Sequence, residues 1–212
     1  TNDIFSHNND NMENTMPSLG VAEFSSIAVN TSPQTKINKI KSIANRPEYH
    51  PGKDFYKKIR DAIKRLIVKK GHISELYDLC RKEKNSSKKI YFEKIVNVFN
   101  EWQSGKNITG FPAPKRYYHY AKTDISCNPE LNVNFQGRSK LVKLHFSNSE
   151  KMTQERANFI CFLMERAIGD QGFEYSVLDL TSGKEFFFSG NKEKQEIRVN
   201  KEIQFIEAHW ED

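Results

Sequence analysis

Hydrophobic positions along this chain change their period twice, and the changes mark off its parts. From about residue 53 they recur every three or four positions. Phe55, Ile59, Ile63, Leu66 and Ile67 share one face of a helix predicted over 53–70, and Gly71 is its natural stop. A second helix is predicted over 74–82, with Leu76, Leu79 and Cys80 inward. A third, over 89–104, carries Phe92, Ile95, Val96, Phe99 and Trp102 and ends at Gly105. Past the loop NITGFPAP the period shortens to two, with β-branched and aromatic residues in YYHYAKTDIS. Leu131, Val133 and Phe135 alternate, as do Val142, Leu144 and Phe146, so 131–146 reads as a hairpin turning at Gln136-Gly137-Arg138-Ser139. The helical period returns over 153–168, with Thr153 as cap and Ala157, Ile160, Leu163, Met164 and Ala167 facing a sheet. FEYSVLDL, EFFFS and EIRVN then read as strands, with a turn at Ser182-Gly183, and a terminal helix is expected around Lys201 to Trp210. Phe186, Phe187 and Phe188 cannot all face one side of a strand, so one face of that strand is covered, either by a helix of the same chain or by a partner.

These elements predict an α+β fold. A basic helical subdomain at 48–105 packs on or beside a mainly antiparallel sheet at 115–212, with one crossing helix and a C-terminal helix. Residues 1–47 read as a flexible arm, because 1–35 are rich in Asn, Ser and Thr and hold four acidic residues and no Lys or Arg. Within the arm, Leu19 to Val29 is apolar enough to fold against the domain or a partner, and 36–45 has the pattern of a short basic helix. At 212 residues and 37% hydrophobic, the chain suits one main core.

Charge sharpens this picture. The net charge of +6 is local: residues 36–94 carry 18 Lys and Arg against 7 Asp and Glu, whereas 95–212 carry 15 against 16. Clustered cations on a helix release counterions from a phosphate backbone, which predicts nucleic-acid binding. The expected phosphate contacts are Lys57, Lys58, Lys64, Arg65, Lys69 and Lys70, with Lys115, Arg116 and Tyr118 as secondary contacts. Phe111, Tyr117, Tyr118 and Tyr120 beside Lys115 and Arg116 offer stacking surfaces for unpaired bases. The alternative from another class is a protein-interaction module, in which the N-terminal arm or the Phe186 to Phe188 edge docks a partner and the lysines serve solubility.

Other chemistries find little support. Neither Gly-x-x-x-x-Gly-Lys-Ser/Thr nor Gly-x-Gly-x-x-Gly occurs, nor does a Gly-x-Ser-x-Gly elbow, and no cofactor is expected. Cys80, Cys127 and Cys161 are too widely spaced for a structural zinc site and odd in number, so they read as reduced, buried thiols of a cytoplasmic protein. No run approaches the roughly 18 apolar residues that cross a bilayer, so no membrane partner is expected. His119 and His145, with Asp124 nearby, form a candidate acid-base or metal group, although surface histidines beside a carboxylate are commonplace.

Two element orders resemble known families. Three helices followed by a hairpin resemble winged-helix DNA-binding domains, a likeness that implies a third helix in the major groove and the hairpin as wing. The order helix, strand, strand, helix, strand over about 89–180 resembles the core of PD-(D/E)XK nucleases. That likeness implies a divalent metal held by an acid near one strand and an acid-x-Lys trio on the next. Pro129-Glu130 supplies the first acid and Lys143 the lysine, but Leu141 stands where the second carboxylate belongs, with Asp124 or Glu101 as substitutes. The likeness implies either a nuclease or an inactive relative.

Overall fold

The computed structural model describes residues 16–47 and 54–210, which form an α+β fold of seven helices and two mixed sheets. The chain opens with β1 (Ser18–Gly20), α1 (Val21–Ala28) and α2 (Pro33–Ala44). Then come α3 (Lys57–Lys69), α4 (Ser74–Arg81) and α5 (Ser86–Gln103). The strands β2 (Thr109–Phe111), β3 (Tyr117–Tyr120), β4 (Thr123–Ser126), β5 (Leu131–Phe135) and β6 (Arg138–His145) follow. The last elements are α6 (Gln154–Ile168), β7 (Phe173–Asp179), β8 (Glu185–Phe187) and α7 (Lys192–Ala208).

The larger sheet has the order β2-β5-β6-β7-β8. Its centre is the predicted hairpin, with Leu131 opposite Val142 and Val133 opposite Lys140. Only Gln136 and Gly137 form the turn; both have positive φ, at 51° and 77°, which suits the right-handed twist of the flanking strands. From β6 the chain crosses through α6, whose Thr153 hydroxyl accepts from the Arg156 N–H as expected, and returns as β7 parallel to β6. The two faces of this sheet bury different cores. Val142, Leu144, Leu131 and Val133 pack against Ile63, Leu76, Phe92 and Phe99 of α3, α4 and α5. Leu141, Tyr175, Val177 and Phe186 pack against α6, α1 and α7 through Phe159, Leu163, Phe24 and Ile203. The basic helical part therefore forms one layer on the sheet.

Three expectations are corrected. The first is the flexible arm, of which residues 1–15 lie outside the described residues, as do 48–53 at the domain boundary. Residues 18–44 form β1, α1 and α2, with Leu19, Val21, Phe24, Ile27 and Ile40 buried. The strand β1 runs parallel to β4 in the smaller sheet, β1-β4-β3, with Ser18 opposite Asp124. Averaged over 35 positions, composition diluted a short, dense apolar cluster. Specific contacts then fix the segment: the Ser32 hydroxyl caps α2, Lys36 pairs with Glu202 at 2.6 Å, and Phe24 meets Phe159 edge to face.

Second, EIRVN is helical. Asn191 caps α7 by accepting from the Lys194 N–H at 2.8 Å, and Gln195, Val199, Ile203 and Ile206 are buried at helical spacing. Third, the winged-helix arrangement is absent, because the hairpin lies in the middle of the sheet and α5 is one of the helices packed on it. Along the chain the order is α5, β2, β3, β4, β5, β6, α6, β7, so three strands interrupt the helix, strand, strand, helix, strand order of the nuclease resemblance, and only β5, β6, α6 and β7 keep it.

Candidate nucleic-acid interface

Helix α3 buries Ile59, Ala62, Ile63, Leu66 and Ile67, which leaves its cations on two flanks. Arg60 and Lys64, one turn apart, occupy one flank, and Lys58, Arg65 and Lys69 the other. Gly110 sets how closely α3 approaches the sheet. A Cβ placed there would stand 2.4 Å from both the Ile67 carbonyl oxygen and its Cγ2. The helix ends at Lys70, whose φ of 53° takes the left-handed position expected of Gly71, while the Gly71 N–H donates to the Leu66 carbonyl.

The first flank faces a cavity of about 330 Å³ between α3, the first turn of α1 and strand β6. Four cationic side chains, Arg60, Lys64, Lys115 and Lys143, and one carboxylate, Glu130, line it. Lys143 Nζ donates to Glu130 Oε1 at 2.7 Å and to the Asn128 carbonyl at 2.9 Å. The other Glu130 oxygen accepts from the Leu144 N–H at 2.8 Å, and the Glu130 N–H donates to the Val142 carbonyl. Asn128 is held in turn, since its Oδ1 accepts from the Arg116 N–H and its Nδ2 donates to Ser126 Oγ. Arg60 donates to Asp54 at 2.6 Å. Burial works against its charge, but Asp54, Glu130 and Asp61 outweigh burial and hold the guanidinium above its ordinary pKa. Lys64 and Lys115 have no carboxylate within ion-pair distance among the described residues, which makes them the cavity's unspent cations.

The structure divides the expected contacts. It brings Lys64 and Lys115 together in the cavity with Lys143. Arg60 and Lys143, absent from the predicted contact set, complete the group. Helical spacing carried a signal for Arg60, four positions before Lys64, and the nuclease likeness carried one for Lys143. Lys58 pairs with Glu83 at 3.0 Å, and with Arg65 it borders a separate depression beside α4. Lys57 pairs with Asp61. Lys69 and Lys70 are exposed at the end of α3, and Arg116 is exposed beside Lys115. Tyr118 does not join the group: it leans on the core under the smaller sheet, and burial raises the pKa of its phenol. Its neighbours Tyr117 and His119 point outward and stack at 6.0 Å, so the expected aromatic cluster is split across the two faces of β3.

The metal implied by the nuclease likeness does not fit these residues. Glu130 and Lys143 do meet on one face of the sheet. Both Glu130 oxygens are already engaged, however, and Leu141 is fully buried in the core. Asp124 pairs with His119 on the smaller sheet, and neither Asp124 nor Glu101 lines the cavity. No group of three His, Cys, Asp or Glu suited to a metal occurs among the described residues. The histidine group is also corrected. His119 Nδ1 lies 2.6 Å from Asp124, whereas His145 is buried at the end of β6 in the other sheet, where burial and then Arg156 lower its pKa.

No protein-family model matches the chain, and no curated protein matches it. Among the described residues, no helix is long and apolar enough to cross a membrane.

Proposed function

We propose that this protein binds nucleic acid, holding phosphate in the cavity formed by Arg60, Lys64, Lys115 and Lys143. The observation that carries this reading is the convergence there of four cations from three separate parts of the chain, two of them without a carboxylate partner among the described residues. A solvated helix face would leave its lysines dispersed. Here Arg60 presents a planar donor fork and the lysines supply mobile point charges. The pairing of Glu130 with Lys143 favours one form of this reading, an inactive relative of the PD-(D/E)XK nucleases that retains a phosphate site without a metal's ligand set. Three free, buried cysteines suit the reducing cytoplasm.

The alternative partner surface at Leu19 to Val29 loses its support, because the segment's large apolar side chains lie inside the domain. At the other suggested edge Phe186 is buried, Phe188 packs against Phe162, and Phe187 is exposed.

Fluorescence anisotropy with labelled single- and double-stranded DNA and RNA tests the proposal. With Lys143 and Arg60 already matched by carboxylates, the two remaining cations predict that affinity for duplex falls about 10-fold between 50 and 200 mM salt. Lys64→Glu with Lys115→Glu should abolish most binding, while Arg65→Glu with Lys69→Glu, on the other flank, should weaken it far less. Equal losses from both pairs, or no binding at low salt, would sink the proposal; absence of binding would turn attention to the exposed edge at Phe187.

A further inference from the structure

We infer that the cavity receives a terminal phosphomonoester of a nucleic acid rather than an internal phosphodiester, an inference that rests on the nucleic-acid reading above. Shape is the first argument. The cations do not form a stripe along a surface; they line a recess of about 330 Å³ walled by the first turn of α1, by α3, by the 126–130 segment and by β6. A recess at the small end of ligand pockets admits one phosphate and part of its nucleoside. An internal phosphodiester continues on both sides and needs an open groove, whereas a chain end enters alone.

Charge balance is the second argument. Lys143 is matched by Glu130 and Arg60 is shared with Asp54, so the cavity's surplus consists of Lys64 and Lys115. A phosphodiester carries one negative charge, while a phosphomonoester carries about 1.5 to 2 at neutral pH. Two unspent ammonium groups match the second ligand better than the first. Glu130 acts as a positioning residue: it holds Lys143 extended towards the recess while its own oxygens remain occupied by Lys143 and the Leu144 N–H. Whether the monoester stands at a 5′ or a 3′ end is the same chemistry from two sources, and the experiment separates them.

The test compares oligonucleotides of one sequence, labelled internally, that carry a 5′-phosphate, a 3′-phosphate or hydroxyls at both ends. One phosphorylated form should bind about ten-fold tighter than the hydroxyl form, with the advantage growing from about pH 5.5 to 7.5 as the monoester gains its second charge. Lys64→Gln and Lys115→Gln, at positions with no carboxylate partner among the described residues, should each remove most of that advantage, Lys64→Arg should keep it, and inorganic phosphate should compete it away. Equal affinity for all three probes with salt dependence retained would overturn this inference and leave nucleic-acid binding standing. A preference that survives both glutamine variants would also overturn it, because the phosphate would then be read elsewhere. Failure to bind any probe at low salt would overturn both.

Discussion

Glu130 and Lys143 have side chains only 10% and 17% exposed, so each depends on the other for its charge to be tolerated. Lys143→Met removes one partner and leaves the carboxylate with a single backbone donor. It should cost on the order of 2–3 kcal/mol, whereas Glu130→Gln with Lys143→Met should recover much of that loss. Chemical denaturation of these two variants and of Glu130→Gln alone completes the cycle. His145 makes a second prediction. Its pKa is lowered by burial and then by Arg156, and its Nε2 has no hydrogen-bond partner. The unfolded chain binds this proton more readily than the folded one. The stabilisation is therefore fully present above the ordinary imidazole value of 6.5 and is lost as pH falls below it towards the folded value. Melting temperature should drop between about pH 7.5 and 5.5, and less steeply in His145→Gln. Neither interaction is local in sequence: Lys143 was tied to Glu130 only by a family likeness, and nothing near His145 indicated the repelling charge of Arg156.

Among elements, α3 packs closely against β2 at Gly110. Gly110→Ala would drive a methyl into the Ile67 backbone, so it should destabilise the fold by about 1–3 kcal/mol and weaken nucleic-acid binding by moving Arg60 and Lys64. Thermal melts and anisotropy on the same preparation check both halves of that expectation. Elements whose determinants are local were legible in the sequence. The β5–β6 hairpin follows from alternation around Gln136-Gly137, and α6 from Thr153 and its apolar face. EIRVN was misread because five residues are too few to separate the two periods, and the Asn191 cap lies outside that window. The basic helix was legible as basic. Which of its flanks faces a cavity depends on where Lys115 and Lys143 arrive from other elements, and helical periodicity carries no such information.

Across the whole molecule, the N-terminal segment joins both the core and the candidate site. Leu19, Val21, Phe24, Ile27 and Ile40 are each at most 2% exposed, and Gly20, Val21 and Ala22 line the cavity. At roughly 2 kcal/mol per side chain, their burial contributes about 10 kcal/mol, comparable to the entire stability of a domain. Deleting residues 1–47 should therefore yield an aggregating or unfolded product, visible as lost cooperativity in a thermal melt. A true flexible arm would leave the melt unchanged.

The parallel pairing of β1 with β4 joins Ser18 to Asp124, and Phe24 waits for Phe159. On the ribosome these early hydrophobic side chains emerge long before the surfaces that bury them exist. At about 5–20 residues per second the interval is on the order of ten seconds or more. Throughout it Leu19, Val21, Phe24 and Ile27 are open to chaperones and to neighbouring nascent chains, so the yield of native protein should depend on translation speed and holdase supply more than the stability of the finished fold suggests.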